Sequence, residues 1–113
     1  MLPILFRRAV LMLGGAMMAG ILMSAAADAA DKQVTIDNFT FSPVEIHVAA
    51  GDKITWTNRD DIPHTVVDSD DPKRMKSSPL DTGDSFAHVF DKPGTYHYFC
   101  SLHPHMQGML VVQ

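Results

Sequence analysis

At 113 residues, with 46% hydrophobic residues and a formal net charge of −4, the chain holds one domain at most. That composition excludes a disordered or collagen-like polymer, and the acidic balance leaves no basic surface for nucleic acid. A single cysteine, Cys100, excludes an internal disulfide, a Cys-rich zinc site and a CxxC redox pair, whereas six histidines are many for so short a chain.

Residues 1–30 read as a cleaved export signal. Arg7 and Arg8 are followed by an uncharged run from Ala9 to Met23, and Ser24 to Ala30 is a stretch of small residues around the A-x-A-like site Ala27-Asp28-Ala29. The alternative is a retained anchor, since the run is near the minimum of about 17 residues for a span. Arg7-Arg8 fits an ordinary basic n-region and also permits a twin-arginine signal. Cleavage near Ala29/Ala30 leaves residues 31–113 as the mature domain, expected in the periplasm without a membrane span. Its net charge is −5 once Arg7, Arg8 and Asp28 are gone. In an oxidising compartment a lone exposed thiol is oxidised or cross-linked, so Cys100 is expected to be either buried or occupied.

The mature segment alternates apolar and polar residues with period two. The alternation runs through Val34 and Ile36, then Val44, Ile46 and Val48, then Ile54 and Trp56. It resumes with Phe86, His88 and Phe90, and again with Tyr96, Tyr98 and Cys100. Turn chemistry separates these runs at Ser42-Pro43, Ala50-Gly51-Asp52, Asn58 to Asp61, Thr82-Gly83-Asp84 and Lys92-Pro93-Gly94. An all-β, antiparallel sandwich or barrel of short strands is expected. Asp68 to Asp81 is read as a surface excursion with at most a short helical turn. A Pro-containing loop follows Cys100, and the last strand is expected over Gly108 to Gln113.

The chemistry-bearing residues gather at the C-terminal end. Cys100, His103 and Met106 lie within seven residues, and His64 follows Ile62-Pro63 after an acidic loop. One thiolate, two imidazoles and a thioether suit a metal cycling between Cu(I) and Cu(II), and a Cys/His/His set with a weak axial Met is the blue-copper pattern.

Over residues 32–113 the chain resembles the cupredoxins, small blue copper proteins. The resemblance is carried by C-S-L-H-P-H-M at 100–106, G-T-Y-H-Y-F-C at 94–100 and F-S-P-V-E-I-H-V-A-A-G-D-K-I-T-W-T-N at 41–58. The short Cys–His–Met spacing is similar to that of amicyanin-like members. The resemblance implies a cupredoxin-like Greek-key β-sandwich of about seven to eight strands. It implies one type 1 copper held by His64, Cys100, His103 and axial Met106. It also implies a monomeric electron carrier rather than an enzyme, serving redox proteins such as a c-type cytochrome and a dehydrogenase. Many members carry Asn after the first His ligand, where this chain has Thr65. A hydroxyl there can still bridge backbone groups, with a different geometry.

Other residues have plainer readings. His47, His88 and His97 fall within strands as solvated or hydrogen-bonded side chains, Trp56 and Phe90 belong to the core, and Met109 packs the sheet. Phe99 faces outward if Tyr98 and Cys100 face in. His103 is expected to project through a surface of Leu102, Pro104, His105 and Pro63, with His105 exposed beside the site. The run Asp60-Asp61 is available to steer partners. A periplasmic copper carrier or resistance protein is the competing function, disfavoured because only Met75, Met106 and Met109 follow the signal. A zinc site of Cys100, His64 and His103 would leave Met106 without a role.

Overall fold

In the computed structural model, residues 28–113 are described, so the proposed signal segment lies outside the described residues apart from its last three positions. Eight strands follow in chain order: β1 (Asp31–Asp37), β2 (Thr40–Ser42), β3 (Glu45–Val48), β4 (Lys53–Asn58), β5 (Val67–Asp68), β6 (Ser85–Val89), β7 (Gly94–Cys100) and β8 (His103–Val112). They form two four-stranded sheets, β2-β1-β4-β6 and β3-β8-β7-β5. The period-two pattern becomes the inner face of the sandwich. β1 contributes Val34 and Ile36, β4 contributes Ile54 and Trp56, β7 contributes Tyr98 and Cys100, and β8 contributes Met106, Leu110 and Val112.

The sheets are mixed rather than antiparallel as the sequence suggested. β1 runs parallel to β4, and β3 runs parallel to β8. Between each parallel pair the chain leaves for the other sheet, so strands of the same direction return as neighbours. Hairpin turn signals do not report such crossings.

Three further differences concern extent. β2 and β5 are too short to show a periodicity. The excursion after Asp68 contains turns but no helix, and it is anchored rather than free. Met75 and Leu80 are buried, Met75 O accepts from Asp68 N–H, and Ser77 Oγ accepts from Val66 N–H. The last strand begins at His103, not Gly108, because Cys100 and His103 pair directly across Ser101-Leu102. Phe99 pairs with Gln107, so Pro104, His105 and Met106 fall within a register shift opposite the end of β7. β3 reaches only Met109 to Val112 on the other side, so the missing N–H of Pro104 breaks no ladder bond there.

Aromatic rings fill the centre. Tyr98 meets Phe41 and Trp56 edge to face, at centroid distances of 4.8 and 5.4 Å. Gly108 makes this possible, since a Cβ there would stand 2.4 Å from Tyr98 Cζ. Burial pushes the Tyr98 phenol up to about 12, so it stays protonated at neutral pH.

Candidate metal centre

Cys100 ends β7 with its thiol turned into the sandwich, as the alternation of Tyr98 and Cys100 requires. The two-residue turn Ser101-Leu102 then returns the chain. It brings His103 Nδ1 to 3.7 Å from Cys100 Sγ. The C-x-x-H spacing is therefore the geometry of one tight hairpin end.

His64 arrives from a different segment. It forms an antiparallel bridge with Leu80, donating its backbone N–H to Leu80 O and accepting from Leu80 N–H. The approach to it is held by Asn58, wholly buried at the end of β4. Its side-chain amide donates to Ile62 O and Leu80 O, and its Oδ1 accepts from Asp60 N–H. So placed, the His64 ring is fully buried, with Nδ1 3.6 Å from Cys100 Sγ.

Ligand atoms of His64, Cys100 and His103 lie within 4.8 Å of one another. Met106 is buried close to these three. The structure thus brings together all four residues singled out from the sequence. Met109, half-buried in β8 opposite Glu45 and His97, is a strand residue. His47 and His97 are exposed and His88 is half-buried, each on a strand as expected.

Thr65 bridges the two ligand segments. Its Oγ1 accepts from Ser101 N–H at 2.7 Å and lies 2.8 Å from Ser101 Oγ. Its backbone N–H donates to Cys100 Sγ at 3.3 Å, and its hydroxyl lies 3.7 Å from the same sulfur. If the Ser101 hydroxyl donates to Thr65 Oγ1, the Thr65 proton is free for the sulfur, and every group has a partner. The hydroxyl thus joins the His64 segment to the Cys100 turn, at a position where many cupredoxins carry Asn.

Two residues were not legible as part of the site. Asp60, grouped with Asp61 as a steering charge, turns inward instead. Its side chain is only 11% exposed, and its Oδ2 lies 2.7 Å from His64 Nε2. The Asp60–His64 separation of four residues was the available signal. Burial pushes the Asp60 carboxyl up, but the N–H groups of Phe39 and Asn38 and the His64 ring outweigh it and hold it below its ordinary range. An ionised carboxylate only accepts, so a proton on His64 Nε2 would satisfy this contact and leave the Nδ1 lone pair available toward Cys100.

Phe39, between β1 and β2, carried no sequence signal. Its ring is 44% exposed, yet stands edge-on to His64 at 5.6 Å and to His103 at 5.1 Å. Leu102, 50% exposed, and the exposed Pro104 and His105 flank the half-buried His103 in sequence, and Pro63, beside His64, is exposed as well.

A buried thiol, two imidazole nitrogens converging on it and an adjacent thioether, on a two-sheet sandwich, define a cupredoxin-type metal centre. The cupredoxin-like domain family matches residues 10–112, and the chain belongs to that family. It is 34% identical over 90 residues to amicyanin-alpha of Methylorubrum extorquens, covering 77% of this chain and 76% of that one. It is 32% identical over 112 residues to chloroplastic plastocyanin of Tetradesmus obliquus, covering 88% and 77% of the two chains. Among solved structures it is similar to a purple cupredoxin from Nitrosopumilus maritimus. There the TM-score is 0.67 and the identity 35%, over 73% of this chain and 99% of that one.

Proposed function

We propose that this protein is a small blue copper electron carrier with no catalytic turnover of its own. His64 Nδ1, Cys100 Sγ and His103 Nδ1 are its strong ligands and Met106 its weak axial one. The observation that carries this reading is the convergence, within 4.8 Å, of one thiol and two imidazole nitrogens from separate segments of a rigid sandwich. Copper bound there supplies a one-electron Cu(I)/Cu(II) couple.

The chain's own residues do the rest. Cys100 and His103 are fixed by a two-residue turn and His64 by its bridge to Leu80, so the ligands are held in place by backbone pairing. Little movement then accompanies a change of charge at the centre. Thr65 donates to the thiolate and keeps the two ligand segments at one separation. Phe39 packs against the His103 ring, and the exposed Leu102, Pro63 and Pro104 offer apolar surface for brief docking, the kind suited to small redox interfaces. The partners are redox proteins, such as a c-type cytochrome and a dehydrogenase, met by a monomer in the periplasm after export.

Visible spectroscopy of the copper-loaded protein tests this directly. An intense charge-transfer band from the Cys100 thiolate is expected in the oxidised form, with reversible one-electron voltammetry. Cys100→Ala removes the band. A band that survives that substitution overturns the ligand assignment.

A further inference from the structure

Asp60 has more partners than a surface aspartate needs. Its Oδ2 faces His64 Nε2 at 2.7 Å and accepts Phe39 N–H at 2.9 Å, while its Oδ1 accepts Asn38 N–H at 2.6 Å. Asn38 and Phe39 both occupy the left-handed region, at φ of 52° and 56°. Neither is glycine, so each carries a steric cost that the surroundings must offset. Two successive N–H groups turned toward one carboxylate form a small anion-holding concavity, and the carboxylate is its occupant. One side chain thus ties the β1–β2 turn, with the Phe39 ring, to the far side of a buried ligand imidazole.

We propose that Asp60 is the positioning residue that sets the donor strength of His64. Its carboxylate takes the Nε2–H, fixes the tautomer and ring plane, and lends the imidazole anionic character. This deepens the electron-carrier reading and rests on its ligand set. A histidine whose outer N–H is given to a carboxylate is a stronger base at its inner nitrogen. A stronger donor, with a full negative charge behind it, favours the more highly charged metal state. Asp60 therefore holds the reduction potential down. It also makes the buried ligand unlike His103: Phe39 stands against both rings, but the carboxylate meets only that of His64.

The test compares wild type with Asp60→Asn, which keeps the size of the side chain and removes its charge. About a tenfold loss of Cu(II)-over-Cu(I) preference is expected, in line with the weight of such hydrogen bonds to ligands. For a one-electron couple this raises the potential by about 59 mV. To separate this effect from a loosened turn, the substitution is repeated in an Asn38→Gly background, where one left-handed position costs nothing. The shift persists there if it runs through His64; a shift that disappears overturns the proposal.

A second readout needs no variant that must fold. In the diamagnetic Cu(I)-loaded wild type, ¹H–¹⁵N spectra should show His64 Nε2 protonated, with a low-field, slowly exchanging proton. A fast-exchanging Nε2–H or a protonated Nδ1 overturns the proposal. A wild type without the thiolate band would instead bring down the ligand reading beneath it. A normal band with a potential unmoved by Asp60→Asn rejects only the role given to Asp60.

Discussion

At the proposed copper centre, Thr65 and Met106 are expected to move the potential in opposite senses. The Thr65 hydroxyl accepts Ser101 N–H and approaches the Cys100 sulfur. Thr65→Val keeps the side-chain volume and the backbone N–H bond to sulfur, but leaves Ser101 N–H without its acceptor. A stability loss of about 1–2 kcal/mol is expected from an orphaned, partly buried donor. Less hydrogen bonding to the thiolate leaves more charge on sulfur, which favours Cu(II), so the potential should fall. Chemical denaturation and voltammetry measure the two effects. For Met106→Leu the expectation is reversed: copper is retained, and loss of a weak thioether donor raises the potential. Met109→Leu, a nearly volume-conserving change in β8, should leave the potential in place and cost under about 1.5 kcal/mol. Matching voltammograms for the two Met variants would count against Met106 as the axial ligand.

At the scale of elements, the segment between β5 and β6 behaves as a strap rather than a loose loop. Asp68, fully buried at the end of β5, accepts from Arg74 Nε at 2.6 Å and from the second guanidinium nitrogen at 3.0 Å. It also accepts from the N–H groups of Asp70 and Asp71. Burial pushes the Asp68 carboxyl up, but Arg74 and these N–H groups more than compensate and hold it below its ordinary range. The Arg74 guanidinium in turn stands 4.8 Å from the centre of the Tyr96 ring. The strap carries Leu80, the bridge partner of His64, so its closure reaches the metal centre.

A carboxyl with a depressed pKa in the folded state stabilises it above the unfolded value, near 3.9. That contribution is lost as pH falls through the lower folded value. Asp68→Asn should therefore cost about 2–3 kcal/mol at pH 7, where it leaves Arg74 without its counter-charge. The gap between variant and wild type should narrow below about pH 4. Thermal melts of the metal-free protein across this range are the check, and a gap independent of pH would reject the account.

For the whole molecule, the repeating part of the chain was readable and the crossing part was not. Val34, Ile36, Ile54, Trp56, Tyr98 and Cys100 announce their burial because a strand against a core must alternate with period two. Cys100, His103 and Met106 announce one another because a tight turn makes sequence neighbours into spatial ones. Sequence alone thus determined an all-β sandwich and the local half of a copper-type site, with the resemblance adding His64 as a ligand.

Tertiary structure decided the rest. The parallel pairings of β1 with β4 and β3 with β8 arise from crossings between sheets, which leave no mark on periodicity. Only packing turns Asp60 inward, since a carboxylate is buried just where N–H groups and a ring donor converge on it. Only packing sets Phe39 against both histidines, because its place depends on a left-handed turn held from 21 residues away. Local sequence encodes contacts between near neighbours, whereas the partners that tune this centre lie on strands and turns joined solely by folding.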